Sequence, residues 1–132
     1  MDLRILEIAS HTDNNKVIQD YTHKSKCRNS LCGDEMEISL IVKNSIVKDV
    51  GYQSKACVYC QASVSLLSRK IKDKKIDEIK ILILNGDKLF NNIKINLGKH
   101  WYDFKEILDQ KNSSRKECLL LPIKTLAKAL KL

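Results

Sequence analysis

The sequence predicts an α+β domain, in which a small antiparallel sheet of about three strands carries helices on one face. Residues 36–42 alternate apolar and polar side chains, which is typical of a half-buried strand. From Cys60 onward, apolar residues recur three and four apart, which is typical of helices. Because the strand-like segments precede the helical ones, we expect an α+β arrangement. The 132 residues suit one domain, which we expect to cover residues 1–132.

The strands are predicted in the first half of the chain. Met36–Val42 is the clearest, and Ile46–Tyr52 is a second, β-branched run. Lys43, Asn44 and Ser45 between them are few enough for a hairpin. Two strands alone are marginally stable, so we expect a third strand around residues 17–21.

Apolar spacing predicts four helices before the last one. The predicted helices are Leu3–Ile8, a helix from Cys60 to Ile71, a helix from Ile76 that ends at Asn85-Gly86, and a helix capped by Asp87 that buries Leu89, Phe90 and Ile93. Residues 81–84 before Asn85-Gly86 would also suit the start of a hairpin, but the spacing favours a helix.

The last helix is predicted to begin at Ser114. Ser114 and Glu117 have the spacing of a capping box, and the apolar residues that follow mark a buried face. Pro122 lacks a backbone N–H, so it should bend this helix unless it lies in the first turns.

The net charge of +8 comes mainly from lysine, with 24 Lys and Arg against 16 Asp and Glu. Base recognition relies on Arg, and single-strand binding relies on aromatic residues, which make up only 5% of this chain. The composition therefore favours a solvated, Lys-rich surface, and we expect no nucleic-acid partner.

The sequence also points away from membranes and export. No run approaches the ~18 apolar residues that span a bilayer, and the first residues do not have the pattern of a signal peptide. We therefore expect a cytoplasmic protein without a membrane partner. In a reducing compartment, cysteines tend to be ligands or reactive groups rather than disulfides.

Five cysteines offer two alternative metal sites. A zinc site of two cysteine pairs would use Cys27, Cys32, Cys57 and Cys60, and would leave Cys118 unexplained. Such a site would suit a zinc-stapled, basic nucleic-acid-binding module, the least favoured of the functions considered.

The second set consists of Cys32, Cys57 and Cys118 with Asp34. Gly33 permits a sharp turn, so that Cys32 and Asp34 can face one point. Cys57 precedes the first long helix, whose dipole would favour a thiolate, and Cys118 lies near the start of the last helix. Such sulfur and oxygen ligands suit zinc, iron or an iron–sulfur cluster.

Three blocks of the chain, in this order, resemble the IscU/SufU/NifU N-terminal scaffold family. The blocks are Cys32-Gly33-Asp34, Cys57 followed by Gln61-Ala62-Ser63-Val64-Ser65-Leu66-Leu67 with Lys75-Ile76-Asp77-Glu78-Ile79 after it, and Arg115-Lys116-Glu117-Cys118-Leu119-Leu120-Leu121-Pro122. The resemblance covers residues 30–132 and leaves 1–29 as a divergent N-terminal segment. It implies a SufE/NifU-like fold.

The resemblance also implies a function. A scaffold of this family would build a transient [2Fe–2S] cluster on Cys32, Cys57 and Cys118, with Asp34 close by, and pass it to apo iron–sulfur proteins. A cysteine desulfurase would supply sulfur, and a donor such as frataxin would supply iron. The protein would be a monomer or weak dimer and not an enzyme in its own right. In the SufU branch, zinc on the same ligands would make it a sulfur acceptor with sulfurtransferase activity.

The chain departs from the family pattern near Cys57 and Cys118. Ser54 and Ala56 replace glycines ahead of Cys57, so that loop is expected to differ if a positive φ is required. Cys60 replaces a small residue and Glu117 replaces the histidine of the IscU branch; both are candidate supporting ligands, although Cys60 also suits the core and Glu117 the capping box. Residues 111–114 lack the Leu-Pro-Pro-Val-Lys segment, so we expect no dedicated Hsp70-type chaperone.

Overall fold

The computed structural model describes residues 2–31, 33–91 and 95–132. Within these ranges the strands are β1 (His23–Arg28), β2 (Glu35–Lys43) and β3 (Ile46–Lys55). The helices are α1 (Leu3–Ala9), α2 (Val58–Ile71), α3 (Ile76–Asn85), α4 (Phe104–Ile107) and α5 (Lys116–Leu130). Three 3₁₀ turns cover Asp87–Asn91, Lys99–Trp101 and Gln110–Arg115.

The strands form an antiparallel sheet in the order β1-β2-β3, which confirms the predicted α+β class. Asn44 and Ser45 connect β2 to β3 with φ values of 54° and 61°. Positive φ at both central residues is the geometry of a tight hairpin turn whose twist matches that of the strands. The predicted hairpin is therefore confirmed.

The third strand lies later than predicted. We expected it around Val17–Tyr21, but β1 is His23–Arg28, and Val17 and Tyr21 are exposed. β1 is an edge strand whose residues alternate between half-buried and exposed, and most of them are basic or polar. Edge strands often carry lysine, which discourages pairing with other chains, so this strand has no hydrophobic signature for the sequence to reveal.

The segment between α1 and β1 packs against β3 instead of forming a strand. The Tyr52 N–H donates to the Asn14 carbonyl at 3.0 Å. A Cβ at Gly51 would lie 2.6 Å from the carbonyl oxygen of Lys16, so only glycine fits at this point of β3. This close approach explains a glycine in the middle of a strand.

The core lies between the sheet and the helices. The fully buried side chains of β2 are Met36, Ile38 and Leu40, and they belong to one hydrophobic cluster with residues of α2 and α5. α5 contacts β1 and β2, α2 contacts β3 and α5, and α1 packs on α2. Trp101 and Phe104 are buried and Tyr102 is half exposed.

The helix predicted from Cys60 and the helix predicted after Asp87 both differ from the structure. α2 begins at Val58, two residues earlier than predicted, whereas α3 has the predicted extent and is not a hairpin. The helix expected after Asp87 is a 3₁₀ turn over Asp87–Asn91, and Ile93 lies outside the described residues.

The last helix begins at Lys116 rather than at Ser114. A 3₁₀ turn runs directly into α5, so Ser114 has no capping position, and Arg115 at the N-cap makes no side-chain capping bond. The predicted capping box is therefore wrong, and Glu117 pairs instead with Lys124 at 3.0 Å. Pro122 lies inside α5, where it has no N–H to donate to the carbonyl four residues before it.

No helix in the described part of the chain combines the length and the apolar character needed to cross a bilayer.

Candidate metal centre

Three side chains from distant parts of the sequence converge at one end of the sheet. The Asp34 carboxylate and the thiols of Cys57 and Cys118 place one ligand atom each within 4.8 Å of one another. Asp34 and Cys118 are buried and Cys57 is half-buried. The structure thus brings together three of the four residues predicted as metal ligands.

Asp34 is held at the base of the loop between β1 and β2. Gly33 has a φ of +75°, a conformation that favours glycine, and this turns the chain as predicted. The Asp34 carbonyl accepts the Asn29 N–H at 2.8 Å, which closes the loop. The Asp34 Oδ1 atom accepts the backbone N–H of Cys57 at 3.1 Å, so the carboxylate also ties this loop to α2.

Cys57 is the N-cap residue of α2, with φ −68° and ψ 167°. The helix end places positive partial charge beside the sulfur, which favours an anionic ligand at this position. The expected position at the helix start is confirmed. Among the described residues, positive φ outside glycine occurs only at Asn44, Ser45, Asp73 and Lys131, so the chain reaches Cys57 without strain at Ala56.

Cys118 lies in the first turn of α5, close to the start of α2. The buried Ser63 hydroxyl in α2 donates to the Leu119 carbonyl at 2.6 Å, which joins the two helices beside the site. At the surface, the Arg115 guanidinium lies 5.2 Å from the centre of the Tyr59 ring. Sequence reasoning did not identify these links, because they depend on which faces of two helices meet.

The other candidate ligands among the described residues are not members of this group. Cys60 is fully buried in the hydrophobic core, and Cys27 lies half-buried in β1. Glu117 is exposed and paired with Lys124. The group of three includes neither Cys60 nor Glu117, and of the described residues in the alternative set of two cysteine pairs it includes Cys57 alone. Cys32 lies outside the described residues.

Two thiols and one carboxylate are a donor set that suits a thiophilic metal. Zn²⁺ accepts sulfur and oxygen ligands, as do iron ions and the iron atoms of clusters. A tetrahedral ion has room for one further ligand beside these three. Cys57 is the least buried of the three residues.

The family model for the NifU-like N terminal domain matches residues 2–111. The chain belongs to the NifU-like N-terminal domain family. The matched range contains Asp34 and Cys57 and ends before Cys118, which the structure adds to the site.

Two relatives match most of this chain in sequence. The chain is 33% identical over 128 residues to the iron–sulfur cluster assembly scaffold protein IscU of Thermotoga maritima, with 96% of this chain and 89% of the relative covered. It is 28% identical over 117 residues to an uncharacterised protein of Borreliella burgdorferi, with 89% and 81% covered.

Solved structures confirm the NifU-like fold. A putative scaffold protein for the SUF system from Fervidobacterium islandicum matches with a TM-score of 0.86 and 22% identity, covering 98% of this chain and 96% of that one. The N-terminal part of a NifU-like protein from Brucella abortus matches with a TM-score of 0.82 and 19% identity, covering 98% and 91%.

Proposed function

We propose that this protein is an iron–sulfur cluster assembly scaffold that builds a [2Fe–2S] cluster as its cargo and passes it to apo-proteins. The observation that carries the proposal is the convergence of Asp34, Cys57 and Cys118 in a NifU-like chain. Cys32 is the proposed fourth ligand, next to Gly33 in the sequence. A cysteine desulfurase supplies the sulfur and a frataxin-type donor supplies the iron.

The chemistry of Asp34 suits release as well as assembly. A carboxylate holds iron less firmly than a thiolate does, so a site with one oxygen ligand gives up its cargo more readily than a four-thiolate site. The Cys57 N–H, 3.1 Å from the Asp34 carboxylate, offers it a second partner. The carboxylate can therefore leave a metal ion and keep a hydrogen bond.

The same donors suit Zn²⁺, and this supports a second candidate function as a zinc-bound sulfur acceptor. In that function, a thiolate that leaves the zinc attacks the terminal sulfur of the persulfide on the desulfurase. A new S–S bond forms on this protein, the persulfide bond breaks, and the desulfurase thiolate leaves with the electron pair. The half-buried Cys57 is the accessible candidate for this step among the described residues of the centre.

Anaerobic reconstitution with iron, cysteine and a desulfurase tests the scaffold function. We expect the wild type to develop the visible absorption of a [2Fe–2S] cluster and to pass the cluster to an apo-ferredoxin. Cys118→Ser should abolish the chromophore, whereas Cys27→Ser should leave it intact because Cys27 lies outside the centre. Zinc in the purified protein, with sulfur transfer but no chromophore, would favour the zinc function.

The opposite pattern would contradict both proposals. Loss of metal in Cys27→Ser and retention in Cys118→Ser would indicate the site of two cysteine pairs. Binding to nucleic acid that weakens steeply with salt would then support the nucleic-acid-binding module. No chromophore and no zinc in the wild type would exclude the two proposed functions together.

A further inference from the structure

The loop between β1 and β2 contains a buried side-chain amide, that of Asn29, which has no role in the site as described above. The Asn29 side chain is only 9% exposed. Its Nδ2 atom is buried, and no residue within 2–31, 33–91 and 95–132 accepts a hydrogen bond from it. A buried donor without an acceptor destabilises a folded protein, so such a group indicates an acceptor that binds to the folded protein.

The local structure fixes which way this amide points. The Asn29 Oδ1 atom accepts the Leu31 N–H at 3.0 Å. Rotating the amide by half a turn would place its NH₂ group against that N–H, so the oxygen and nitrogen positions are determined. The Asn29 backbone is held as well, since it donates to the Asp34 carbonyl and accepts from the Gly33 N–H, both at 2.8 Å.

Asn29 lies beside two of the chain segments that carry the candidate ligands. It is hydrogen-bonded to the backbone of Asp34, whose carboxylate is one ligand. It also lines a cleft of about 280 Å³ together with Glu117 and Leu121, which lie in α5 on either side of Cys118. Asn29 therefore lies at the junction between the loop and the start of α5.

We propose that Asn29 is a positioning residue whose Nδ2 donates a hydrogen bond to sulfur held at the Asp34–Cys57–Cys118 centre, and this inference rests on the proposed function. The acceptor is either a ligand thiolate or the inorganic sulfide of the cargo. Sulfur anions accept N–H hydrogen bonds, and such bonds tune the affinity and potential of metal sites. The donor would stabilise the loaded form, whereas in the unloaded form no acceptor for it lies among the described residues.

Two variants and a matched control test this role. Asn29→Ala removes both the donor and the turn, whereas Asn29→Ser keeps an oxygen that can accept the Leu31 N–H and loses the amide donor. The control is Asn96→Ala. Asn96 is exposed, and its Oδ1 atom accepts the Gly98 N–H at 3.0 Å, just as the Asn29 Oδ1 atom accepts the N–H two residues later. Zn²⁺ affinity reports on thiolate sulfur, and the lifetime of a reconstituted cluster reports on sulfide sulfur.

We expect both Asn29 variants to lose on the order of tenfold or more in Zn²⁺ affinity or in cluster lifetime, as outer hydrogen-bond partners of ligands typically do. With Co²⁺ as the probe, the sulfur-to-metal absorption band of Asn29→Ser should move to longer wavelength if a thiolate loses its hydrogen bond. Asn96→Ala should match the wild type in every assay.

An effect on Zn²⁺ identifies a thiolate as the acceptor, and an effect confined to the cluster identifies sulfide; either supports the proposal. Wild-type behaviour of Asn29→Ser with both probes would overturn it and leave Asn29 only a turn residue. A wild type that binds Zn²⁺ but never assembles a cluster would refute the scaffold function, while the Zn²⁺ and Co²⁺ measurements would still decide the role of Asn29.

Discussion

Replacing Asp34 by asparagine separates the proposed metal-binding role of its carboxylate from its structural role. The amide oxygen of Asp34→Asn can still accept the Cys57 N–H that the carboxylate accepts at 3.1 Å. A hydrogen bond to a charged group exceeds a neutral one by about 1 kcal/mol, and the lower cost of burying an amide offsets part of that difference. The metal-free variant should therefore unfold within about 4 °C of the wild type.

The metal-bound state should respond much more strongly. A metal ion held by these three ligand atoms, which lie within 4.8 Å of one another, would lie closer than 4.8 Å to the carboxylate, so one unit of its positive charge would attract the carboxylate by at least about 3.5 kcal/mol at an effective dielectric constant of 20. That energy corresponds to a few hundredfold in an equilibrium constant. We therefore expect Asp34→Asn to bind Zn²⁺ on the order of a hundredfold more weakly.

Competition with a chromophoric chelator measures the Zn²⁺ affinity, and thermal unfolding with and without Zn²⁺ measures stability. Asp109→Asn is the matched control, because the Asp109 carboxylate also accepts a backbone N–H, that of Lys111 at 2.9 Å, away from the centre. Zn²⁺ affinity within about threefold of the wild type would refute a ligand role for Asp34. A metal-free protein that melts ten degrees lower would show that the carboxylate acts mainly in the fold.

Three further predictions concern the site and its support. Asp34→Cys should hold a cluster or Zn²⁺ more firmly and transfer a cluster more slowly, because a thiolate replaces the weaker oxygen ligand; transfer to an apo-ferredoxin as fast as in the wild type would contradict this. Ser63→Ala removes the buried bond to Leu119 and should cost about 1–2 kcal/mol, or about 5 °C in calorimetry; an unchanged Tm would show that the bond adds nothing. Gly51→Ala should cost about 1–3 kcal/mol in denaturant unfolding, since its Cβ would meet the Lys16 carbonyl at 2.6 Å; wild-type stability would show that residues 14–18 can move away.

The order of most elements, and three of the residues of the candidate metal centre, were predictable from the sequence. Alternation in residues 36–42 and helical spacing after Cys60 depend on which faces are buried, and such patterns are local. Gly33 beside Asp34, and Cys57 just ahead of α2, likewise carry local signals that the structure confirms. These signals sufficed for the fold class and for naming Asp34, Cys57 and Cys118 as a group.

Other features depended on contacts between distant segments. The edge strand β1 has few apolar residues, and its pairing with β2 supplies the order that its own sequence does not indicate. The predicted capping box is absent because Ser114 lies within a 3₁₀ turn. The formation of that turn depends on how the preceding segment packs.

By itself, the sequence determined the fold class and the residue types of the site, because hydrophobic periodicity and ligand chemistry are properties of short segments of the chain. Only the tertiary structure decided which residues meet. It placed Cys60 in the core and Glu117 at the surface beside Lys124, and it left the side-chain amide of Asn29, whose backbone is hydrogen-bonded to Asp34, buried. The physical reason is that burial and the distances between ligand atoms depend on how the sheet and helices pack. The three ligand residues are 23 to 84 positions apart in the chain, so local sequence patterns do not reveal their contact.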